Sequence, residues 1–263
     1  DRVMRVLPLE NDSINECWLS DKDRFAYEGL NSEERLQKPM LKQDGKWIEV
    51  EWQQALEYVA NGLKQIAAEH GADQIGALTT PHQTLEEMYL LHKFMRGIGS
   101  DNIDHRLRQS DFALDSKQQG TPWLGMPIAE LSALKSVLIV GSTLRKDHPL
   151  IANRLRQSAK RGLQVNVVNP MDDDWLMKVA NKAIVAPNQI ADMLAQILKA
   201  VAEAKQVAVP TVAANITVSD SVRKIAATLT EKENAAVLLG NLSQHAPNYS
   251  SLYILAQQIA QLS

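Results

Sequence analysis

Residues 136–141 read Ser-Val-Leu-Ile-Val-Gly, and residues 164–170 read Gln-Val-Asn-Val-Val-Asn-Pro. Each stretch is a short run rich in β-branched residues that ends at a turn-forming residue, which predicts a strand. Between them, residues 150–161 carry apolar side chains at helical spacing, and Gly162 follows as a helix stop. A strand, a helix and a second strand in this order predict a βαβ unit, whose parallel strands are buried on both faces.

The same alternation of helix and strand signals extends through most of the chain. Periodic apolar residues predict helices at residues 52–70, 85–98, 189–203, 219–229 and 249–262. Short apolar runs beside turn-forming residues predict strands at residues 3–7, 47–50, 74–79, 102–105, 183–186 and 235–240. The sequence therefore predicts an α/β fold with parallel sheets.

The length of 263 residues predicts about two lobes. Residues 1–50 are predicted to form a small irregular lobe that contains β-structure, and residues 51–205 to form an α/β domain. A Gln-Val-Ala-Val-Pro stretch suggests a boundary, so residues 206–263 are predicted to begin a further α/β lobe. Because the chain starts at Asp1 and ends within a helical pattern, we expect a section of a longer protein.

Composition excludes several classes of function. Hydrophobic residues make up 45% and charged residues 22% of the chain, as in ordinary water-soluble globular proteins. The net charge of −3, the scattered basic residues and an aromatic content of 5% argue against a nucleic-acid surface. The longest apolar runs are far shorter than the ~20 residues of a membrane span.

Residues 18–29 read Trp-Leu-Ser-Asp-Lys-Asp-Arg-Phe-Ala-Tyr-Glu-Gly. This segment resembles the molybdopterin oxidoreductase superfamily near its N-terminal iron–sulfur segment. Cluster-bearing members read Leu-Cys-x-Lys-Gly-Arg-Phe there, and Lys22, Arg24 and Phe25 match that pattern. Ser20 stands at the position of the cluster cysteine.

Two further departures from that pattern argue against a cluster. Asp23 replaces the glycine and puts a carboxylate where the family needs a close backbone approach. Cys17 is the single cysteine of the chain, whereas a four-iron cluster is typically held by four thiolates. We therefore expect no metal site here and predict that Cys17 is a small buried residue.

Residues 102–110 read Asn-Ile-Asp-His-Arg-Leu-Arg-Gln-Ser. Molybdenum enzymes of the superfamily read Asn-Val-Asp-His there and then Arg-x-Cys, whose cysteine binds the metal. Ser110 falls on that cysteine, and because some members use serine as the ligand, a metal role for Ser110 stays open. The stretch is also similar to the respiratory complex I branch of the superfamily, which is understood to have lost molybdenum. The carboxylate of Asp111 would repel an anionic pterin dithiolene.

Ligands of parallel sheets bind at the carboxyl ends of strands. In molybdopterin enzymes, loops equivalent to residues 79–81, 141–143 and 169–170 hold the guanine nucleotide ends of the cofactor. Complex I relatives read Val-Gly-Thr-Asn-Pro-Arg where residues 140–145 read Val-Gly-Ser-Thr-Leu-Arg. A glycine after a buried strand can also simply permit the turn into a helix. The candidates for a vestigial cofactor pocket are Lys22, Arg24, Ser110, Gly141, Ser142, Thr143 and Asn169.

The resemblance implies Rossmann-like lobes of the formate dehydrogenase/DMSO reductase type. It implies an iron–sulfur subunit that passes electrons from NADH, through flavin and clusters, to quinone. This section would be a scaffold without catalytic residues or cofactors, with the iron–sulfur clusters elsewhere in the subunit and molybdopterin lost. Its partners would be other peripheral-arm subunits at the cytoplasmic face of the bacterial inner membrane, or on the matrix side in mitochondria.

Two alternatives follow from the same residues. An active molybdopterin oxidoreductase would need upstream cysteines and a productive role for Ser110. A nucleotide-binding regulatory module would need a ligand at residues 141–143 or at Asn169.

Overall fold

A computed structural model describes residues 2–106, 108, 111–231 and 233–263, and helices and short strands alternate along the chain. The α-helices are α1 (Asp21–Phe25), α2 (Trp52–His70), α3 (Leu85–Gly97), α4 (Leu144–Asp147), α5 (Pro149–Lys160), α6 (Ile190–Ala204), α7 (Asp220–Thr230), α8 (Asn241–Gln244) and α9 (Tyr249–Leu262). The strands are β1 (Met40–Gln43), β2 (Lys46–Glu49), β3 (Ala77–Leu78), β4 (Ile103–Asp104), β5 (Ser136–Val140), β6 (Gln164–Asn169), β7 (Asn181–Ile184) and β8 (Ala235–Leu239). Short 3-10 helices lie at Ala26–Asn31, Ala72–Gln74, Ile128–Ala133, Pro187–Gln189 and Thr211–Ala213.

The chain folds into two compact units. The first unit comprises Asp1–Val3 and Tyr27–Arg108, and the second comprises Met4–Ala26 and Gln109–Ser263. Both units join segments that are distant in sequence. The three-part division at residues 50 and 205 stays a prediction.

The second unit contains a four-stranded parallel sheet in the order β7-β6-β5-β8. From β5 the chain adds β6 and then β7 on one side, and later returns to add β8 on the other side of β5. The sheet therefore crosses the predicted boundary near residue 205, because β8 pairs with β5 rather than with a strand of another lobe. The parallel α/β architecture predicted from the sequence is confirmed.

Alternate residues of the central strand supply two separate cores. Leu138 and Val140 pack into one core with helices α6, α7 and α9, and Val137 and Ile139 pack into the other with α5. All four side chains are fully buried. Side chains of successive strand residues point to opposite faces, so one apolar run covers both faces of the sheet. Each buried aliphatic side chain contributes about 1.5–3 kcal/mol.

A single polar side chain lies in the interior of the neighbouring strand and is fully hydrogen-bonded. The Asn166 Nδ2 atom donates to the Val137 carbonyl oxygen and to the Ser136 Oγ atom, both at 3.3 Å. Its Oδ1 atom accepts from Asn181 Nδ2 at 2.8 Å and from Thr228 Oγ1 at 3.1 Å. Burial of this amide is tolerated because its partners satisfy it, and it ties β6 to β5, β7 and α7.

The first unit combines the β1–β2 hairpin with the parallel pair β3–β4 and the helices α2 and α3. Helix α3 begins with a capping box, in which Thr84 Oγ1 accepts from the Glu87 amide and Glu87 Oε2 accepts from the Thr84 amide. Two donors that the first helical turn would leave without partners are thereby satisfied. Helices α2 and α3 confirm the predictions for residues 52–70 and 85–98 within one residue.

The predicted strand at residues 3–7 is wrong. Within the described part of the chain, no ladder of strand hydrogen bonds includes these residues. An apolar run followed by Pro8 satisfies the local pattern of a strand, but a strand also needs a partner at the right spacing. The predicted strand at residues 74–79 is shortened to β3, because residues 72–74 form a 3-10 turn instead.

Arg154 of α5 fastens the N-terminal segment of the second unit. Its side chain is only 7% exposed, and its Nη2 atom donates to the carbonyl oxygens of Asp12 and Ile14 at 3.3 and 3.2 Å. Its Nη1 atom donates to Ser132 Oγ at 3.3 Å and lies 3.3 Å from Glu16 Oε1. A guanidinium has enough donors to serve all these acceptors at once. One side chain thus holds a segment about 140 residues away in sequence.

Replacement of Arg154 by methionine removes these bonds and keeps an apolar stem in place. We expect the free energy of unfolding to fall by about 1.5–3 kcal/mol, because several hydrogen bonds to one charged donor are lost. Urea denaturation followed by circular dichroism measures this change. The exposed Arg156, on the same helix, gives the control Arg156→Met, which should change stability by about 0.5 kcal/mol or less. Equal effects of the two variants would contradict the role of Arg154 in holding the N-terminal segment.

Candidate functional site

The candidate site lies where β5 and β8 end. The strands β6 and β7 that follow β5 lie on one side of it, and β8 lies on its other side. Ligands of open parallel sheets bind at such switch points. Gly141 follows β5 with φ +58°, and its amide donates to the Val168 carbonyl oxygen at 2.9 Å. Gly240 follows β8, and its amide donates to the Val140 carbonyl oxygen at 2.9 Å. Two glycines thus form the floor of the site.

The two loops pack directly against each other at these glycines. A Cβ atom on Gly141 would lie 2.8 Å from the Ser243 amide nitrogen and would overlap the Ser243 hydroxyl. A Cβ atom on Gly240 would overlap Ser142. The Ser243 hydroxyl itself donates to the Val140 carbonyl oxygen at 3.0 Å and is fully buried. Protein atoms therefore fill the space between the ends of β5 and β8.

Ser142 and Asn169 are joined by a reciprocal pair of hydrogen bonds. The Ser142 amide donates to Asn169 Oδ1 at 2.8 Å, and Asn169 Nδ2 donates to the Ser142 carbonyl oxygen at 2.9 Å. Ser142 is 1% exposed and Asn169 is fully buried. The structure thus brings these two predicted residues together. The backbone amide of Ser142 and the side-chain amide of Asn169 are hydrogen-bonded to each other's residue.

Thr143 is the N-cap residue of the short helix α4 and is bonded to an acidic residue. The carboxylate of Asp147 accepts from the Thr143 hydroxyl at 2.7 Å and from the Thr143 amide at 3.2 Å. Asp147 therefore places a negative charge against the backbone donors of this turn. Bound phosphates use such donors in other proteins.

Two buried polar atoms of this region have no hydrogen-bond partner among the described residues: Ser142 Oγ and Arg145 Nε. Both atoms are shielded from solvent, so a ligand would reach them only after the loop had moved. The Ser142 and Thr143 amides are occupied by Asn169 and Asp147. The backbone donors of this loop are therefore bonded within the protein, while two side-chain donors beneath it have no partner among the described residues.

The predicted residues of α1 serve local structure. Ser20 is the N-cap of α1: its Oγ atom accepts from the Asp23 amide at 3.1 Å and donates to Asp23 Oδ2 at 2.6 Å. This capping explains why serine and aspartate suit positions where relatives carry cysteine and glycine. Lys22 is exposed and Arg24 is partly exposed. Among the described residues, no hydrogen bond or ion pair joins either cation to the loop after β5.

The prediction that Cys17 is buried is wrong, because its side chain is exposed. The neighbouring Glu16 has φ +53° and is bound to Arg154, which holds the turn in place. The local sequence contains no signal for this contact between distant segments. Within the described ranges, no group of three or more His, Cys, Asp or Glu side chains is arranged to hold a metal.

Ser110 lies outside the described residues, but its neighbour Asp111 has a clear structural role. The Asp111 carboxylate accepts from the Ser250 amide at 2.7 Å and from the Ala113 amide at 3.1 Å. The Ser250 bond fastens Asp111 to the first turn of α9. These bonds, the Ser250 amide first, lower the pKa of Asp111 below its ordinary value.

Asp104 carries the largest resolved pKa shift of this stretch. The Arg106 amide donates to it at 2.9 Å, and the Arg106 guanidinium Nε lies 3.1 Å from the same oxygen. The amide of Arg106 and then its side chain lower the pKa of Asp104 to about 2. The bonds from Arg106 thus favour the ionised form of Asp104 and hold the turn that follows β4, which is a structural role.

Sequence reasoning missed the residues that close the site, namely Ser243 and Asp147. Ser243 lies in α8, more than a hundred residues from the loop that it covers. Asp147 follows Thr143 by four residues, which is the spacing of one helical turn. This spacing could have predicted the bond between the two side chains.

Many protein families share a parallel α/β sheet with such a switch point, and a sequence match to one family identifies the class of this chain. Residues 35–263 match the family of molybdopterin oxidoreductases, so the chain belongs to that family. Residues 1–28 match a second family, the NADH-ubiquinone oxidoreductase NDSU1/NuoG-like 4Fe-4S domain.

Individual relatives place the chain within that class. It is 35% identical to the G subunit of NADH-quinone oxidoreductase from Rickettsia felis over 162 residues, which span 62% of this chain and 23% of that protein. It is 31% identical to the F420-dependent formate dehydrogenase subunit alpha of Methanocaldococcus jannaschii over 173 residues, which span 64% of this chain and 25% of that protein. The aligned part is thus about a quarter of either relative.

A solved structure shows the same fold. Acetylene hydratase from Pelobacter acetylenicus superposes with a TM-score of 0.67 at 16% identity, over 96% of this chain and 39% of that one. The predicted fold type of the molybdopterin oxidoreductases is therefore confirmed. Among the described residues, no helix has the length and apolar character required to cross a membrane.

The close packing at the site makes Gly141 sensitive to substitution. Gly141→Ala introduces the overlap with Ser243 as well as left-handed strain, whereas Gly162→Ala introduces strain at φ +106° with no atom within 4 Å. We expect Gly141→Ala to cost about 1–3 kcal/mol more than Gly162→Ala. Urea denaturation of both variants measures the difference. Equal losses would show that the loop yields to the methyl group.

The bond between Asp111 and α9 predicts an acid-dependent contribution to stability. Because folding lowers the pKa of Asp111, its contribution is present above the unfolded pKa and is lost as the pH falls through the folded pKa. Asp111→Asn should therefore lower the melting temperature more at pH 6 than at pH 3. Calorimetry of both proteins at the two pH values tests this, and an equal difference at both would refute it.

Proposed function

We propose that residues 1–263 are a section of the G subunit of NADH:quinone oxidoreductase, respiratory complex I. One observation carries the proposal: a NuoG-like 4Fe-4S match at residues 1–28 is followed directly by a molybdopterin oxidoreductase match at residues 35–263. The similarity to the corresponding subunit of Rickettsia felis supports it. The parent subunit would then pass electrons from NADH, through flavin and iron–sulfur clusters, towards quinone.

In this proposal the section is a structural scaffold of the peripheral arm and holds no molybdopterin. The occupied loop after β5 supports that role, since the Ser142 and Thr143 amides donate to Asn169 and Asp147 rather than to a ligand. The buried Ser243 supports it as well, because it fills the switch point of the sheet. The scaffold would orient neighbouring subunits and leave electron transfer to clusters elsewhere.

The proposed partners are other peripheral-arm subunits rather than nucleic acid, in keeping with the net charge of −3. The proposed location is the cytoplasmic face of the bacterial inner membrane, as part of a membrane-bound complex.

A second candidate function is that of a molybdopterin-dependent oxidoreductase. The similarity to a formate dehydrogenase subunit alpha favours it. Such an enzyme would hold the nucleotide end of its cofactor near residues 141–143. That cofactor would supply a metal centre for substrate oxidation. Asn169 and Asp147 would then have to release the amides of the loop.

The 4Fe-4S match at residues 1–28 also gives Cys17 a candidate role. Its exposed thiol is free to ligate iron together with cysteines elsewhere in the parent subunit. This role is compatible with a scaffold in the rest of the chain, because it concerns only the N-terminal segment.

Elemental analysis of the parent subunit, purified from its native host, tests the proposal. Inductively coupled plasma mass spectrometry should find iron from the clusters and far less than one atom of molybdenum or tungsten per chain. Stoichiometric molybdenum or tungsten would overturn the scaffold in favour of the second candidate.

The variants Cys17→Ala and Ser20→Ala assign the iron. If Cys17 ligates a cluster, Cys17→Ala should lower the iron content by one cluster, while Ser20→Ala should leave it unchanged. Unchanged iron in both variants would remove Cys17 from the ligands and leave the N-terminal segment free of metal.

A further inference from the structure

Helix α2 of the first unit exposes the apolar stripe that its sequence pattern would place against a core. Leu56, Val59 and Ile66 lie on one side of the helix, because their spacing follows its period of 3.6 residues. These side chains are 58%, 52% and 40% exposed. No residue of this 19-residue helix is buried. Water therefore contacts a surface whose composition is that of a helix packed in a protein interior.

The sheet of the first unit has the same property. Strands β3 and β4 form a parallel pair, and within the described residues neither strand pairs with a third. Leu78 of β3 is 66% exposed. Parallel sheets occur almost only where helices cover both faces. The β3–β4 pair with its exposed leucine thus lacks the cover that parallel sheets ordinarily have.

Helix α3 divides its apolar residues between the interior and the solvent. Met95 is 2% exposed and packs inside, whereas Leu85, Tyr89 and Leu90 are 76%, 62% and 60% exposed. Its strong capping box shows that the exposed residues belong to a well-formed helix rather than to a frayed end.

We infer that the stripe of α2 and the sheet β3–β4 are covered, in the intact subunit, by strands and helices from the part of the same polypeptide outside residues 1–263. This inference rests on the proposed function, in which the chain is a section of a longer subunit. The fold match spans 96% of this chain but only 39% of acetylene hydratase, and the matched relatives are aligned over about a quarter of their length. The intact polypeptide therefore holds ample chain to extend the sheet.

Backbone pairing and apolar burial would act together in this covering. A third strand can add to the free edge of β3 or β4 through main-chain hydrogen bonds. A segment over the other surface would then bury Leu56, Val59 and Leu78. The charged residues of α2, such as Lys64, would stay in solvent at the margin.

Hydrogen–deuterium exchange on two proteins tests the inference: residues 1–263 alone and the intact subunit purified without its partner subunits. Amides of residues 52–70 and 77–78 should exchange at least about tenfold more slowly in the intact subunit. Equal rates would overturn the inference. Protection that arises only in the assembled complex would also overturn the inference and assign the surface to another subunit. Protection of residues 1–263 that depends on protein concentration would overturn it too and assign the surface to a second copy of the chain.

Substitutions provide a second readout with a matched control. Leu56→Glu should leave the melting temperature of residues 1–263 unchanged within about 1–2 °C, because the side chain is exposed there, and should lower that of the intact subunit clearly. Lys64→Glu, at an exposed position of the same helix, should affect neither protein. A small effect of Leu56→Glu in both proteins would argue against coverage. None of these measurements depends on metal content, so the detection of molybdenum would overturn the proposed function and leave this result standing.

Discussion

Burial of strand β5 on both faces and both edges is the constraint on which the second unit depends. The strand pairs with β6 and β8, and its alternate residues enter two different cores. Such a position accepts only apolar side chains, apart from Ser136 at the start of the strand, whose hydroxyl is bonded to Asn166. It also determines where the chain can turn. The loops after β5 and β8 emerge side by side at the switch point, so the location of the candidate site follows from the strand.

Protein groups occupy the backbone donors at that switch point. In a dinucleotide-binding fold the amides after the central strand face the ligand. Here those amides face Asn169 and Asp147, and Ser243 closes the space between the two glycines. A loop that satisfies its own amides costs little to maintain without a cofactor, because most of its donors already have partners. The family membership and the local chemistry are thus consistent with a scaffold built on a cofactor-binding fold.

The two units differ in how far their elements are buried. In the second unit, α6 contributes residues such as Leu194, Ile197 and Leu198 to a closed core. In the first unit, α2 forms from local signals and buries none of its residues. Since helical stability in proteins comes mostly from packing of the apolar face, the proposed cover would add to the stability of α2. The N-terminal segment is instead secured by one buried arginine, Arg154, through backbone carbonyl groups and Glu16.

The sequence by itself determined the fold class, the principal helices and the family, because these depend on local patterns. The periodicity of residues 52–70 and 150–161, the apolar run of β5 and the motif around Lys22 and Arg24 lie within short windows. Only the tertiary structure decided which strands are neighbours, why residues 3–7 form no strand, and that Cys17 is exposed. It also decided that Asn169 and Ser243 fill the site. Each of these depends on contacts between residues far apart in sequence, and no local pattern encodes a distant partner.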